Sequence, residues 1–200
     1  MHALIVVAHP RRASLTHSVA AELVAGVEAG GVHTAEIADL AEEGFDPRFS
    51  AMDMAVYQQE TPIQPDVAVE QARIDRADAL VLVYPVYWWS FPALLKGWID
   101  RVFSNGWAYH ETPEAGLVKK LQRLNVHLVA IGGADLRTYA RHGYFWAMRT
   151  QIDHGIFDFC GARVVTSELL AAPDDGDWRP RLTAARAIGA GLFDEKRVAA

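Results

Sequence analysis

The chain has 200 residues, 51% of them hydrophobic, with a formal net charge of −6 and an isoelectric point near 5.7. This length suits one domain with a sizeable core, and the acidic balance argues against a general nucleic-acid binder, which neutralises phosphates with surplus lysine and arginine. A single cysteine, Cys160, excludes an internal disulfide framework and is expected to be a small buried hydrophobe.

The N-terminal sequence MHALIVVAHP contains an apolar run that is too short for a signal peptide. No stretch approaches the length of about 18 uninterrupted apolar residues that indicates a transmembrane helix. We therefore expect a soluble, cytoplasmic protein.

Strand and helix patterns alternate along the chain. Residues 3–8 form a continuous apolar run, typical of a parallel strand buried on both faces, and apolar residues then recur at helical spacing. In chain order the patterns predict strands at 3–8, 32–40, 78–86, 125–133 and 162–169, and helices at 16–29, 66–76, 92–103, 144–155 and 179–195. Pro92 is expected at the first helical position of its helix. Residues 44–65, which carry Gly44, Pro47, Pro62 and Pro65, are expected to be a long connection with at most short helices.

This alternation, without internal repeats, predicts an α/β fold: a doubly wound five-stranded parallel sheet with helices on both faces. We expect residues 1–200 to form a single domain. Ligands of such sheets bind beyond the carboxyl ends of the strands, at the topological switch point. The segments that follow the first, third and fourth strands are therefore expected to converge on a site.

The segment after the first strand, HPRRASLTHS, collects positive charge and hydroxyls in an acidic chain. A loop that enters a helix N-terminus offers backbone N–H groups and the positive end of the helix dipole, which together bind phosphate. Ser14 and Thr16 add hydroxyls, while His9, Arg11 and Arg12 add charge. Neither the GxGxxG nor the P-loop pattern is present. The competing interpretation is that Ser14 or Thr16 only caps the helix and that the arginines are solvated or steer ligands.

The segment after the third strand, YPVYWWSFP, is rich in aromatic residues. Five of them fall within eight positions: Tyr84, Tyr87, Trp88, Trp89 and Phe91. Because they follow neither a strand nor a helix period, we expect them to form a wall for a planar ring system. An alternative, compatible with the first, is that Trp88 and Trp89 form a patch at a dimer interface.

Three motifs occur in order: HP-x-x-x-S-x-T at 9–16, YPVYWWSFPALLKGWIDRVF at 84–103, and a glycine pair after the fourth strand. Together they make the chain resemble the flavodoxin-like NAD(P)H:quinone oxidoreductases, which include the ancillary subunits of glutathione-gated potassium efflux systems. The resemblance extends over roughly residues 3–170. It implies a homodimer with two flavin sites and a ping-pong cycle, in which reduced nicotinamide gives hydride to the flavin before a quinone or another acceptor binds.

The resemblance also implies roles for particular residues. Those that match positions holding the flavin's phosphate and ribityl portion are His9, Ser14, Leu15 and Thr16, and those that match the segment along the isoalloxazine ring are Pro85, Val86, Tyr87, Trp88 and Trp89. Gly132 and Gly133 match a pair that lets backbone approach the ring. Tyr139 matches a tyrosine whose hydroxyl can hydrogen-bond a quinone oxygen. The resemblance favours FAD, although FMN shares these contacts, and it leaves NADPH and NADH open as the reductant.

One departure from the family pattern concerns a proton donor. Well-studied members have a histidine six residues after that tyrosine, where this chain has Phe145. His142 is three residues after Tyr139, and we consider it both as a catalytic residue and as a surface histidine before a helix. Trp107 and Tyr109 either close over the flavin edge or pack locally. The histidines show no metal-ligand spacing, so we predict no metal site.

Three functions follow from these observations. The leading hypothesis is a flavoenzyme that reduces quinones or similar two-electron acceptors with NADH or NADPH. The second is a regulatory subunit that binds a membrane potassium-efflux transporter. The third is a flavodoxin-type electron carrier, although the 44–65 segment, the aromatic segment and Tyr139 suit a closed substrate site better.

Overall fold

A five-stranded parallel sheet forms the centre of the fold. The structure is a computed structural model and describes residues 1–112 and 116–194. The strands are β1 (His2–Val7), β2 (Thr34–Asp39), β3 (Ala79–Pro85), β4 (Tyr109–Thr112), β5 (Gly116–Lys119), β6 (Asn125–Gly132) and β7 (Arg163–Ala171). The order across the large sheet is β2-β1-β3-β6-β7, and β4 pairs with β5 in a separate antiparallel hairpin.

Helices cover both faces of this sheet. They are α1 (Leu15–Glu28), α2 (Ala51–Tyr57), α3 (Pro65–Arg76), α4 (Ala93–Val102), α5 (Leu136–His142), α6 (Tyr144–Arg149) and α7 (Arg179–Ala190), and a π-helical segment, Thr150–Asp158, continues α6. One apolar core lies under α1 and α7, and the other lies under α3, α4, α6 and the π-helical segment. None of the helices in residues 1–112 and 116–194 has the length and apolar character of a membrane span.

The structure confirms the predicted parallel sheet and corrects several of the predicted elements. The helix predicted at 144–155 is divided between α6 and the π-helical segment, and the helix predicted at 179–195 ends at Ala190, with residue 195 outside the described residues. Pro92 is the N-cap of α4, with ψ near 154°, rather than its first helical residue. Helix α5 and the hairpin were not predicted, because α5 spans only seven residues and buries a single side chain, Tyr139.

A buried arginine holds the long 44–65 connection, which contains the short helix α2 as expected, against the body of the fold. Arg101 of α4 is 8% exposed and donates to Asp53 of α2 at 2.9 Å and to Asp66 of α3 at 2.7 Å. Burial opposes ionisation of Asp53, but hydrogen bonds from Ser50 and Arg101 hold the pKa of its carboxyl below the ordinary value. The connection is therefore fixed by charge-assisted hydrogen bonds rather than by regular secondary structure.

Helices α1 and α7 approach each other through glycines. A Cβ atom on Gly26 would lie 2.2 Å from the carbonyl oxygen of Arg186, and one on Gly189 would lie 2.2 Å from the carbonyl oxygen of Leu23. Both obstacles are backbone atoms, which cannot rotate away. Any side chain at either position therefore pushes the two helices apart.

Replacing Gly26 by alanine is expected to lower the free energy of unfolding by about 1–3 kcal/mol, because the added methyl overpacks the α1–α7 contact. Gly30→Ala is the matched control, since nothing lies within 4 Å of a Cβ atom at that position. Urea denaturation of both variants tests this expectation, and equal stability of the two would contradict it.

Candidate active site at the carboxyl edge of the sheet

The segments that follow β1, β3 and β6 leave the sheet at one edge. The backbone N–H of Ala8 donates to the carbonyl of Val83 at 3.3 Å, and the N–H of Val86 donates to the carbonyl of Ile131 at 2.9 Å. Helix α1 then covers one face of the sheet and α4 covers the other. The boundary between β1 and β3 is therefore the topological switch point, where ligands of open α/β sheets bind.

The loop after β1 ends in a capped helix. Ser14 is the N-cap of α1, and its Oγ accepts from the backbone N–H of His17 at 3.3 Å. Ser14 therefore caps α1, whereas Thr16 lies inside the helix and is only 2% exposed. Leu15 packs at the edge of the core beneath α1 and α7.

The charged residues of this loop have local partners. The backbone N–H of Arg11 donates to Nδ1 of the half-buried His9 at 3.1 Å, which folds the loop back on itself. Arg12 forms an ion pair with Glu42, and Arg11 is exposed. The loop therefore keeps its backbone donors, the α1 dipole and the exposed Arg11 as its attraction for an anion, while Arg12 is paired with Glu42.

A pair of residues at this loop was not predicted from the sequence. His17 Nδ1 lies 2.7 Å from Ser14 Oγ, and its Nε2 lies 2.8 Å from Oδ2 of Asp39. Asp39 is the last residue of β2 and reaches the loop only because β2 pairs with β1. The signal in the sequence is weak, since it consists of one histidine three residues after a capping serine.

The aromatic segment after β3 forms a strained turn. Tyr87 and Ser90 exchange two backbone hydrogen bonds of 3.1 Å, which leaves Trp88 and Trp89 as the two central residues. Their φ angles are 49° and 60°, the left-handed pattern of a type I′ turn, where Asn-Gly is the usual pair. Each such residue costs on the order of 1–3 kcal/mol and persists only when its surroundings fix it.

The two tryptophans differ in what surrounds them. Trp89 stacks on Tyr144 with ring centroids 3.6 Å apart and meets Tyr139 edge-on at 5.3 Å. Aromatic contacts of this kind contribute about 0.5–1.5 kcal/mol each and offset the strain at Trp89. Trp88 is 92% exposed, so its side chain makes no packing contacts of this kind that would offset the backbone strain at Trp88.

A cavity of ≈ 230 Å³ opens beside this turn. The residues that line it come from the segments after β3 and β6: Val86, Trp88, Trp89, Gly133, Ala134 and Tyr139. Pro85 closes β3 directly before this wall, and Tyr87, at the start of the turn, is exposed. The structure therefore brings Val86, Trp88, Trp89 and Gly133 of the predicted ring-contacting residues together at one cavity, whereas Pro85, Tyr87 and Gly132 lie outside its lining.

The two glycines of the pair differ in what surrounds them. A Cβ atom on Gly132 would lie 2.8 Å from the hydroxyl of Tyr139, so this glycine makes room for the tyrosine. A Cβ atom on Gly133 would meet nothing within 4 Å, although this residue lines the cavity. Gly133 is thus the member of the pair whose bare backbone faces the space available to a ligand.

Tyr139 and His142 occupy different environments. Tyr139 is 2% exposed, and burial raises the pKa of its phenol above the ordinary value of 10, so it remains a proton-bearing donor at neutral pH. His142 ends α5 with an exposed side chain and stacks on Tyr144 at 5.2 Å. His142 is not part of the cavity lining and reaches it only through Tyr144 and Trp89.

Residues of the NGWAYHET segment pack locally. Trp107 meets Phe103 edge-on at 5.8 Å and donates from Nε1 to Asp75 at 3.3 Å. Tyr109 meets Phe159 edge-on at 5.2 Å. Cys160 is 3% exposed, which confirms the predicted small buried residue, and burial raises the pKa of its thiol to about 11.

Comparison with known proteins places this geometry in a family. The model of a family described as having a flavodoxin-like fold matches residues 1–188. An NAD(P)H oxidoreductase of Haemophilus influenzae is 33% identical over 172 residues, which cover 84% of this chain and 83% of the relative. The solved NAD(P)H:quinone oxidoreductase of Methanothermobacter marburgensis is 30% identical, with a TM-score of 0.86 and 96% of each chain covered.

A more distant solved structure shares the fold alone. It is an FMN-dependent NADH-azoreductase of Bacillus anthracis in complex with FMN, 15% identical with a TM-score of 0.68. The strand order and these matches define a protein of the flavodoxin-like fold. Within that fold, the chain belongs to the family of the NAD(P)H oxidoreductases that include quinone reductases.

Replacing Trp88 by glycine is expected to raise the free energy of unfolding of the ligand-free protein by up to about 1 kcal/mol. The reason is that glycine adopts positive φ without a steric penalty. Differential scanning calorimetry measures the effect. Trp89→Gly is the matched control, because it removes the same kind of strain together with two ring contacts and is expected to destabilise the protein. If both variants were destabilised equally, the strain at Trp88 would not be a cost to the fold.

Proposed function

We propose that this chain is a flavin-dependent NAD(P)H oxidoreductase that reduces quinones or similar acceptors, and that residues 1–200 act as one flavin-binding domain in the cytoplasm. The observation that carries this proposal is the ≈ 230 Å³ cavity at the sheet edge, walled by the aromatic turn and the bare backbone of Gly133. The membership of the chain in its oxidoreductase family supports the same conclusion.

The residues present fit a flavin. The cavity offers an aromatic and aliphatic wall from Val86 to Trp89 for a planar ring, and Gly133 allows close approach of backbone to that ring. The loop from His9 to Thr16 offers a helix N-terminus for a phosphate. We favour FAD, as the resemblance of the loop and turn implies, and FMN uses the same phosphate and ring contacts.

When bound there, a flavin supplies two-electron hydride chemistry between NADPH or NADH and an acceptor. The chain itself orients the reactants and shields them from water. The resemblance of the chain to the quinone reductases favours binding of nicotinamide and quinone in turn, in a ping-pong cycle.

Tyr139 is the residue we propose to assist the acceptor. Its buried phenol keeps its proton at neutral pH and lies beside Gly132 at the cavity. A hydroxyl in this position donates to a quinone oxygen as negative charge develops there. His142, which reaches the cavity only through Tyr144, is proposed to tune this site rather than to donate directly.

Purified protein reconstituted with FAD or FMN tests the proposed function. Bound flavin is expected to give a yellow protein whose absorption near 450 nm is bleached by NADPH or NADH and restored by a quinone. A protein that takes up neither flavin, or a bound flavin that neither nucleotide reduces, would exclude the proposed reaction.

Tyr139→Phe is expected to slow the reoxidation of the reduced enzyme by quinone about 10–100-fold, because the quinone loses a hydrogen-bond donor. Reduction by the nicotinamide nucleotide, which does not use this hydroxyl, is expected to change little. Stopped-flow absorption separates the two half-reactions. The removal of the hydroxyl beside Gly132 leaves the fold a small gap rather than a clash. Equal slowing of both half-reactions would assign Tyr139 a purely structural role.

A homodimer is the proposed assembly. A second, larger cavity of ≈ 370 Å³ lies between α2, α4 and the π-helical segment, and four apolar side chains in its lining are exposed: Phe49, Met54, Tyr57 and Phe159. An apolar surface of this kind is typical of the contact between two copies of a chain. The resemblance of the chain to dimeric quinone reductases supports a second copy as the occupant.

Tyr57→Glu is expected to shift the protein from dimer to monomer in light-scattering chromatography, because it buries a charge in the contact. Val32→Glu is the matched control, since Val32 is 74% exposed and lies outside the apolar cavity. A monomeric wild-type protein, or equal dimerisation of both variants, would contradict the assignment of this surface.

The regulatory role at a potassium-efflux transporter and the electron-carrier role stay predictions from the sequence. No contact or charge cluster in the described part of the chain favours either of them over substrate reduction.

A further inference from the structure

Three side chains from two elements form a hydrogen-bonded relay at the N-terminus of α1. Ser14 Oγ lies 2.7 Å from His17 Nδ1, and His17 Nε2 lies 2.8 Å from Asp39 Oδ2. The histidine and aspartate side chains are largely shielded, with 20% and 15% exposure. We call Ser14, His17 and Asp39 the α1 relay.

The direction of each hydrogen bond follows from Asp39. Its other oxygen, Oδ1, accepts from the backbone N–H groups of Ala41 at 3.2 Å and Glu42 at 3.3 Å, an arrangement that suits a carboxylate. Oδ2 then accepts the Nε2 proton of His17. A neutral imidazole carries only one proton, so its Nδ1 is an acceptor and the hydroxyl of Ser14 donates to it.

This direction has a consequence for an anion at the helix terminus. With its proton committed to His17, Ser14 Oγ has only lone pairs left, and one of them already accepts from the backbone N–H of His17. An approaching phosphate oxygen would therefore meet another acceptor. When His17 takes up a proton, its Nδ1–H donates to Oγ instead, and the hydroxyl of Ser14 becomes free to donate to the phosphate.

We propose that binding of the flavin phosphate at the N-terminus of α1 is linked to uptake of one proton by His17, with Asp39 holding the resulting charge. This inference rests on the proposed function, because it takes the flavin as the ligand. The proton comes from solvent and ends on Nδ1 of His17, and only hydrogen bonds are exchanged. His17 acts as a positioning residue that turns Ser14 from an acceptor into a donor.

The charged surroundings of His17 are compatible with this exchange. The ring of His9 lies edge-on at 6.2 Å, and Asp39 faces Nε2 from β2. The neighbouring Glu42 is paired with Arg12. Helix α7, which packs against α1, places Arg186 on Glu22, more than one turn further along α1. The carboxylate of Asp39 is thus the charge in direct contact with the histidine.

Isothermal titration of the ligand-free protein with FAD tests the proposal, because it counts protons without any enzymatic turnover. Binding enthalpies are measured near neutral pH in two non-phosphate buffers that differ in ionisation enthalpy. Wild-type protein is expected to take up a fraction of one proton for each FAD bound, and His17→Gln is expected to take up none. His154→Gln, which changes an exposed histidine away from the relay, is expected to behave as wild type.

Asp39→Asn separates proton linkage from simple loss of a contact. The amide nitrogen of the new side chain donates to His17 Nε2, so Nδ1 carries the proton of the neutral ring and already donates to Ser14. This variant is expected to bind FAD without proton uptake. Its Kd should not change with pH, whereas the wild-type Kd is expected to rise as the pH rises, by at most about tenfold per pH unit for one proton.

The possible results distinguish the relay from the proposed function. Absence of FAD and FMN binding to the wild-type protein would overturn the proposed function and the relay with it. FAD binding with the same proton uptake in wild type and His17→Gln would overturn the relay alone. Uptake retained in Asp39→Asn would also overturn it, because the proton would then be taken up elsewhere.

Discussion

The parallel pairing of β1 with β3 is the constraint on which the site depends. The two strands end at the same level, yet the chain turns into α1 on one face of the sheet and into α4 on the other. The two segments must therefore separate, which places the helix-terminus donors of α1 and the aromatic turn after β3 at the same edge of the sheet. No single segment contains both halves of the site, so the chemistry becomes available only when the sheet is assembled.

The aromatic turn shows how the fold tolerates a costly conformation where it is useful. Trp89 is held by Tyr144 of α6 and Tyr139 of α5, two helices that follow β6 in the chain. Rings from a separate part of the chain thus stabilise a left-handed residue pair that local sequence preferences disfavour. The exposed ring of Trp88 then lies beside the cavity, on a turn that is closed by the two hydrogen bonds between Tyr87 and Ser90.

The sheet and the outline of the site could be predicted from the sequence because buried parallel strands give continuous apolar runs, and because the segments after them are compositionally unusual. The relay could not be predicted in the same way. His17 and Asp39 are 22 positions apart, and the strand pairing that joins them leaves no local pattern. Likewise, position 132 requires glycine because the hydroxyl of Tyr139 lies where a Cβ atom would be. That contact depends on how α5 packs on β6. Contacts made by tertiary packing were therefore missed, and features set by periodicity were found.

The close contact of α1 with α7 couples the beginning of the chain to its end. Gly26 and Gly189 pack backbone against backbone, and the apolar face of α1 is buried against both the sheet and α7, the last helix of the described chain. During synthesis α1 leaves the ribosome long before α7 exists, so the part of α1 that packs on α7 stays uncovered until α7 has been made. Such long-range closure slows folding relative to local contacts. The N-terminal end of α1, where Ser14 caps the helix, is therefore expected to become rigid late in folding.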